Sequence, residues 1–422
     1  MKSSIQTRYL AFLILKDIFE KKITLQLAFT KCKALSDMDA ADAKFVRLLV
    51  STVLRRYGQA KEILKSYLKK KLSGKNKDVE LILLLAVVQL KFLKTAPHAA
   101  VDTSVELTKI AKKKYLSGFV NAVLHSISKA GETPLPDVLL NIPDWLLKRW
   151  FSYYGKEKTR AFVETFYTEP FLDISAKKEN AFWAEKLGGT LLENGTIRCR
   201  FTENVPQMIG FEEGAWWVQE ASAALPAELF TNVNKKFGAD LCAAPGGKTA
   251  QLVAKGATLD AYDISPKRLE RLSENLKRLD MQEKVNVICQ DVLTIEPIEK
   301  YDFILLDAPC SATGTVKRHP DLYFLRTEAD VDRIVELQRS LLEHSFKLLK
   351  KGGELVYATC SLDVAENEGL VQSFLKDHIE IERIPLQKEF LKPFLNEFGA
   401  VQVLPTMSRI QDGFYAVLLK KR

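Results

Sequence analysis

The sequence predicts a multidomain protein with an N-terminal all-α bundle, a small α+β middle domain and a C-terminal α/β domain. Two observations support this fold class. Apolar residues recur at helical spacing through the first third of the chain, whereas short strands alternate with amphipathic helices from residue 236 onward. The predicted divisions are a helical domain at 1–130, a linker at 131–144, the middle domain at 145–232 and the α/β domain at 233–422.

The N-terminal third contains four segments with the pattern of amphipathic helices. Their apolar residues are spaced three and four apart, and basic residues stand between them. This pattern predicts a helical bundle with a basic exterior. The segments are "TRYLAFLILKDIFEKK", "DAKFVRLLVSTVLRRYGQAKEILKSYLKKK", "DVELILLLAVVQLKFLK" and "AAVDTSVELTKIAKKKYLSGFVNAVLHSISKA".

The linker and the middle domain follow from a change of pattern. Gly131, Pro134, Pro136 and Pro143 fall within a short span, which is typical of a connection between domains. A helical pattern then begins at "WLLKRWFSYYGKEKTRAFVETFY" and gives way to short mixed segments and the aromatic-rich "FEEGAWWVQEASAAL". We therefore expect a small α+β domain in this region.

The charge of the chain is concentrated in its first 130 residues. They contain 25 Lys and Arg against 10 Asp and Glu, whereas the remainder contains 37 against 43. Lysine and arginine side chains that neutralise phosphates release counterions, so this asymmetry favours a nucleic acid as partner. The alternative is a solvated basic surface that keeps the protein soluble.

Composition also excludes several classes of protein. No apolar run reaches the roughly 18–20 residues of a membrane span, and the amphipathic start soon includes Asp17 and Glu20. The six cysteines show neither a C-x-x-C pair nor the spacing of a disulfide framework. We expect a cytoplasmic monomer with reduced thiols, no metal and no membrane contact.

Five strands are expected in the C-terminal domain, each followed by a turn and a helix. Such an alternation predicts a parallel sheet wound on both faces. In such sheets ligands bind beyond the carboxyl ends of the strands, so residues at these ends are the first candidates for function. The strands lie in "KKFGADLCA", "ATLDAYDIS", "EKVNVICQD", "YDFILLDAP" and "GELVYATCS".

The first strand ends in a glycine turn, "CAAPGGKT". Gly246 and Gly247 permit a tight turn and a close approach of the backbone to a ligand, and the following helix offers free N–H groups. The P-loop of ATPases requires glycine where this chain has Cys242. A phosphate cradle, and with it an ATPase, is therefore disfavoured.

Aspartates stand at the ends of the next two strands. Asp263 lies at the distance expected of an acid that accepts hydrogen bonds from ribose hydroxyls, and Asp291 could face an adenine. Either residue alone could be an ordinary helix N-cap. The interpretation as a cofactor site depends on their combination with the glycine turn.

Two thiols stand at the ends of the last two strands. If Asp307 ends the fourth strand and Cys360 the fifth, parallel pairing brings both to one cleft together with Cys310. Cysteine is an attacking group that needs no metal when its thiolate is favoured. Inert packing is the alternative, and we accept it for Cys32, Cys199 and Cys289.

The motifs "DLCAAPGGKT", "DAPCSATGT", "RHPD" (Arg318–Asp321) and "YATCS" resemble those of Sun-type RNA cytosine-5 methyltransferases, which use S-adenosylmethionine. The N-terminal part, with "HAAVDTSVELTK" and "SGFVNAVL", resembles the NusB-like domain that is fused to RsmB-type (Fmu or Sun) enzymes of 16S ribosomal RNA. The resemblance extends over nearly the whole chain. It implies a NusB-like RNA-binding domain and a Rossmann-like methyltransferase domain.

The resemblance also implies roles for residues. Cys360 would be the nucleophile that adds to carbon 6 of cytosine, Cys310 would assist product release, and Asp307 would stabilise the adduct. Lys248 would orient groups near the cofactor or the base. The target would be a cytosine of small-subunit ribosomal RNA that is unpaired or flipped out. The residues implied to bind S-adenosylmethionine are Cys242, Ala243, Ala244, Pro245, Gly246, Gly247, Lys248, Asp263, Asp291 and Asp307.

Three alternatives to this activity stay open. An amino-methyltransferase normally ends its fourth strand with Asn/Asp-Pro-Pro and an aromatic residue, whereas "DAPC" offers a thiol. A catalytically idle RNA-binding protein built on the NusB-like bundle would give no reason for two thiols at strand ends. A methyltransferase of another RNA, such as tRNA, is the third alternative.

Overall fold

The computed structural model describes residues 3–70, 72, 74–168, 170–200, 205–406 and 412–422. The chain divides into two compact units. The first extends to Tyr167 and also includes Val316–Arg326, and the second comprises Thr168–Thr315 and Thr327–Arg422. No helix within the described ranges is long and apolar enough to cross a membrane.

The first unit is all-helical, which confirms the predicted bundle. Its fifth helix buries nearly every residue between Val79 and Gln89, because a helix that is apolar on all sides must lie at the centre of a bundle. The helices are α1 (Ser3–Lys21), α2 (Leu25–Lys31), α3 (Ala40–Arg55), α4 (Tyr57–Lys65), α5 (Lys77–Lys91), α6 (Pro97–Ile110), α7 (Ser117–Lys129) and α8 (Asp144–Thr165).

Local sequence determines where several of these helices begin. The side chain of Thr24 accepts a hydrogen bond from the backbone N–H of Leu27 at the start of α2, and α3 begins in the same way at Asp39. Helix α6 begins with Pro97. The N–H groups of a first turn have no acceptor within the helix, so proline, which has no N–H, costs no hydrogen bond at this position. Helix α8 is interrupted at Gly155, where φ is 76°.

Residues 316–326, which we call the strap, pack within the first unit although their neighbours in the chain belong to the second. The ring of Phe324 lies 5.0 Å from the rings of both Phe19 and Tyr57. The carboxylate of buried Asp321 accepts a hydrogen bond of 2.9 Å from the backbone N–H of Leu25. The RHPD motif therefore belongs to the strap, and its aspartate is anchored to the helical bundle.

The second unit begins with a small antiparallel sheet in the order β2-β3-β1-β4, as expected for the α+β part of the chain. Between its two inner strands the carboxylate of buried Asp173 forms an ion pair of 2.6 Å with Arg198. The elements are β1 (Leu172–Ala176), α9 (Asn180–Lys186), β2 (Thr190–Leu191), β3 (Ile197–Cys199), β4 (Trp216–Val218), α10 (Ala221–Ala224) and α11 (Pro226–Leu229).

The large sheet of the second unit has the order β10-β12-β9-β8-β5-β6-β7, and β11 pairs with β12. The five predicted strands β5–β9 are mutually parallel, which confirms the Rossmann-like expectation. The elements are β5 (Phe237–Leu241), α12 (Gly247–Ala254), β6 (Thr258–Asp263), α13 (Pro266–Arg278), β7 (Val285–Cys289), β8 (Tyr301–Asp307), α14 (Glu328–Leu348), β9 (Leu349–Thr359), α15 (Glu368–Asp377), β10 (Ile381–Arg383), β11 (Val401–Val403) and β12 (Phe414–Lys421).

Alternation along the central strands produces two cores, one on each face of the sheet. On β8, Phe303 and Leu305 belong to one core, whereas Ile304 and Leu306 belong to the other. Strand β5 lies between β6 and β8, so the chain runs outward from it in both directions. This reversal of strand order is where doubly wound sheets bind their ligands.

Candidate active site

The glycine turn leaves the sheet at the carboxyl end of β5. Cys242 adopts a left-handed conformation with φ of 64°, and Gly246 does so with φ of 98°. A Cβ atom at Gly246 would lie 3.0 Å from Cγ of Leu272, so the turn needs glycine both for its conformation and for space. Burial raises the pKa of the Cys242 thiol to about 12, which keeps this cysteine protonated and unreactive.

The two predicted cofactor acids have different surroundings. Asp263 at the end of β6 is buried and accepts hydrogen bonds from the backbone N–H groups of Ala244 and Ser265, at 3.2 and 3.0 Å. Its oxygen Oδ2 also lies 3.0 Å from the guanidinium of Arg268. Asp291, after β7, accepts a hydrogen bond from the N–H of Leu293 and caps a short helical turn. The contacts of Asp291 are therefore those of an N-cap residue.

Lys248 and Asp307 form an ion pair where the neighbouring strands β5 and β8 end. Lys248 lies in the first turn of α12, Asp307 ends β8, and their charged atoms are 2.7 Å apart. Burial alone would lower the pKa of Lys248, but the charge and the hydrogen bond of Asp307 outweigh it and raise that pKa. Lys248 is therefore a fixed cation beside the strand ends.

The structure brings the two predicted thiols together. Strands β8 and β9 are parallel with Asp307 opposite Ala358, and Sγ of Cys310 lies 3.3 Å from Sγ of Cys360. The hydrogen bond with Cys360 and burial together raise the pKa of Cys310 well above its ordinary value. At neutral pH Cys310 therefore keeps its proton and can share it with the sulfur of Cys360.

Three further cysteines were predicted to be inert and lie away from the pair of thiols. Cys32 ends α2 of the first unit, and Cys199 is buried at the end of β3. Cys289 is exposed at the end of β7, opposite Asp263, so the expectation that it packs in the interior is wrong. Over the described ranges no group of three or more His, Cys, Asp and Glu residues could hold a metal ion.

Two buried acids beside these residues escaped the sequence analysis. Asp240, within β5, accepts a hydrogen bond of 2.6 Å from Thr249, and burial raises its pKa to about 7. Glu366 accepts hydrogen bonds from the serine that follows each of the two thiols. An acid within the apolar strand "FGADL" was a signal for Asp240, whereas Glu366 lies in a polar stretch that gives none.

Comparison with known proteins assigns a family to both parts of the chain. The family described as 16S rRNA methyltransferase RsmB/F matches residues 227–420, and the NusB family matches residues 5–129. Ribosomal RNA small subunit methyltransferase B of Pasteurella multocida is 35% identical over 388 residues, which cover 85% of this chain and 84% of that protein. The probable enzyme of the same name from Synechocystis is 32% identical and covers 99% of this chain and 100% of its own.

Solved structures share the fold. The crystallised protein PH0851 superimposes with a TM-score of 0.79 at 23% identity, covering 99% of this chain and 98% of its own. A methyltransferase homolog from Pyrococcus horikoshii covers 66% of this chain and 95% of its own, with a TM-score of 0.57 and 27% identity. The resemblance seen in the motifs is thereby confirmed: the chain belongs to the RsmB/F family of 16S rRNA methyltransferases and has an N-terminal NusB-family domain.

Proposed function

We propose that this protein methylates carbon 5 of a cytosine in small-subunit ribosomal RNA, with S-adenosylmethionine as methyl donor and Cys360 as nucleophile. The observation that carries the proposal is the pair of thiols, Cys310 and Cys360, whose sulfur atoms lie 3.3 Å apart at the ends of neighbouring strands. Methyl transfer to a nitrogen or to ribose would not need such a pair. Family membership supports the reaction type and the class of RNA.

The turn and its surroundings fit the methyl donor. Oδ1 of Asp240 is buried beneath the turn without a hydrogen-bond partner, and the backbone N–H groups at the start of α12 are available to a ligand. We assign the turn Cys242–Lys248 together with Asp263, Asp291 and Asp307 to this site. When bound, S-adenosylmethionine supplies a methyl group on a positively charged sulfur.

Carbon 5 of cytosine is a poor nucleophile until carbon 6 carries an added group. The thiolate of Cys360 adds to carbon 6 and makes carbon 5 electron-rich enough to accept the methyl group. Asp307, held by Lys248, is placed to stabilise the altered ring by hydrogen bonding. Afterwards the proton on carbon 5 must leave and the bond between Cys360 and carbon 6 must break.

The raised pKa of Cys310 gives the second thiol a defined moment of action. Its largest cause is the hydrogen bond with Cys360, followed by burial and by the charge of Cys360. A sulfur bound to carbon 6 is an uncharged thioether and only a weak hydrogen-bond acceptor, so formation of the adduct weakens both contributions of Cys360 and lowers the pKa of Cys310, while the contribution of burial remains. Cys310 can then release its proton to solvent, take the proton from carbon 5 and let Cys360 leave.

Substitution of each cysteine separates these roles. Cys360→Ala should abolish both methylation and any covalent protein–RNA species, whereas Cys310→Ala should form the adduct and fail to resolve it. Each variant is incubated with S-adenosylmethionine and 16S ribosomal RNA and analysed on a denaturing gel, and bisulfite sequencing identifies the methylated base. Cys32→Ala, which removes a half-buried thiol of the helical bundle, is the control and should behave as the wild type.

The outcomes distinguish the proposal from its alternatives. A shifted band with Cys360→Ala but not with Cys310→Ala would mean that the two roles are exchanged. Full methylation by both variants would show that the thiols are structural. RNA binding without methylation by the wild-type protein would favour an idle binding protein, and methylation of tRNA alone would change the substrate.

A further inference from the structure

Each of the two thiols is followed in the chain by a buried serine. Ser311 follows Cys310 and Ser361 follows Cys360, and both serines are almost completely inaccessible to solvent. Their hydroxyl oxygens lie 3.0 Å apart, close to the separation of the two sulfur atoms. The chain thus repeats a Cys-Ser pair at the ends of two adjacent parallel strands.

The carboxylate of Glu366 joins these two serines. Oε1 accepts hydrogen bonds from both hydroxyls, at 2.6 Å from Ser361, and Oε2 accepts a bond of 2.7 Å from the backbone N–H of Ser311. Oε2 also accepts from Nε2 of Gln338, which donates in addition to the carbonyl oxygen of Pro309. Four donors from three segments therefore converge on one side chain.

The environment of Glu366 makes this arrangement rigid. The residue is fully buried, and its own carbonyl oxygen accepts a hydrogen bond of 2.7 Å from the hydroxyl of Tyr357. Burial raises the pKa of Glu366, while the hydrogen bonds from Ser311 and Ser361 act in the opposite direction. An ionised carboxylate only accepts hydrogen bonds, so it matches the four donors around it.

We propose that Glu366 is a positioning residue that holds the thiols of Cys310 and Cys360 at their working distance through Ser311 and Ser361. Loss of the carboxylate would leave the two hydroxyls and the N–H of Ser311 without their common acceptor, and the two strand ends could separate. The significance of this distance for methylation rests on the proposed function. The distance itself does not, and it can be measured without RNA.

A thiol–disulfide equilibrium measures how well the two sulfur atoms are held together. Two protein thiols and one oxidised glutathione give one protein disulfide and two reduced glutathione molecules, so electrons and protons balance. The bond requires the sulfur atoms to approach to about 2.05 Å. A pair held close in advance forms it with a higher equilibrium constant. Mass spectrometry of the peptide linking Cys310 to Cys360 gives that constant at each glutathione ratio.

Three variants test the role of the carboxylate. Glu366→Ala should lower the equilibrium constant by about tenfold or more, because the pre-organisation is lost. Glu366→Gln keeps a carbonyl oxygen for the backbone N–H of Ser311 and for Gln338, and its amide group can donate to the serine hydroxyls. Its equilibrium constant should therefore remain within about threefold of the wild-type value. Ser361→Ala retains Glu366 and removes one hydroxyl, so it should lower the constant to an intermediate value. It also serves as the test if Glu366→Ala does not fold.

Glu368→Ala is the matched control. Glu368 is also buried, but it bonds to Arg383 and Tyr415 and has no hydrogen bond with either serine. Its loss should leave the thiol equilibrium unchanged, while unfolding midpoints and cofactor affinity report the integrity of every variant.

An unchanged constant in both Glu366→Ala and Ser361→Ala would overturn the proposal. So would an equal fall in Glu368→Ala, because any lost carboxylate would then suffice. Failure of the wild-type protein to methylate RNA would refute the proposed function and leave the thiol result standing.

Discussion

Nζ of Lys248 lies 2.7 Å from Oδ2 of Asp307, so the lysine of the glycine turn is paired with the acid that ends the neighbouring strand. Both side chains were predicted to take part in catalysis and in cofactor binding. Their contact fixes the position of the Asp307 carboxylate at the strand end. The pair is also partly shielded from water, because Lys248 is 13% and Asp307 31% exposed.

We expect the pair to contribute measurably to stability. A double-mutant cycle with Lys248→Met and Asp307→Asn should give a coupling free energy of about 1–2 kcal/mol, since burial weakens the screening by solvent. Urea unfolding of the four proteins measures it. Lys350 and Asp302 form a control pair at the same distance with exposures of 47% and 32%, and their coupling should stay below about 0.5 kcal/mol. Equal couplings would contradict this expectation.

Asp240 should make the stability depend on pH. Burial raises its pKa from 3.8 to about 7, so the folded state favours the neutral form. When the pKa of a group is higher in the folded than in the unfolded protein, the protonated group stabilises the folded state. This contribution is fully present below the pKa of the unfolded protein and is lost as the pH rises through the pKa of the folded protein. Wild type should therefore lose about 2–4 kcal/mol relative to Asp240→Asn between pH 4 and 7, at 1.36 kcal/mol per pKa unit. Urea unfolding at pH 4.5 and pH 8 compares them, and a difference independent of pH would refute the prediction.

Cofactor affinity should fall on substitution of Asp263 but not on substitution of Arg268. The guanidinium of Arg268 forms an ion pair with the carboxylate of Asp263, which is proposed to bind the ribose. Asp263→Asn should weaken S-adenosylmethionine binding by about 10–100-fold through loss of a charged acceptor. Arg268→Ala should leave affinity equal or raise it by a small factor. Isothermal calorimetry measures both, and tighter binding of ATP than of S-adenosylmethionine would exclude the site.

The basic helical domain should provide RNA affinity rather than chemistry. Lys112, Lys113 and Lys114 form a run of basic residues between α6 and α7. Changing all three to glutamine should make the slope of log K against log salt less negative, by about 0.7 for each phosphate contact to single-stranded RNA. Filter binding at several salt concentrations measures this slope. Glutamine at Lys267, Lys277 and Lys284, exposed in the second unit, is the control. If the slope of the variant at Lys112, Lys113 and Lys114 is unchanged, these lysines do not contact RNA and their charge serves solubility.

The strand ends could be predicted because their signals are local. Each of β5–β9 is a short apolar run that ends at a polar residue or a glycine turn, and parallel pairing then places those ends together. The antiparallel strand β12 was not predicted, because the continuous apolar run "FYAVLLKK" follows no helix and gives no direction of pairing. Periodicity shows that a segment is a strand, but not which neighbour it will choose.

The contacts of individual side chains were less predictable. Asp263 and Asp291 looked alike in the sequence, yet one is buried in an ion pair and the other caps a turn. Glu366 and the strap both depend on residues far away in the chain, which no local pattern reports. Packing that joins distant segments is therefore the part of the site that requires the structure.

The strap also affects the order in which the protein can be made. Because Phe324 packs against Phe19 and Tyr57, the first unit is incomplete until more than three quarters of the chain has been synthesised. Until then the two aromatic rings lack their contact with Phe324, and the N–H of Leu25 lacks its acceptor, Asp321. The nascent helical bundle is therefore expected to be a client for chaperones, and a truncated chain that ends at residue 167 should be less soluble than the full protein.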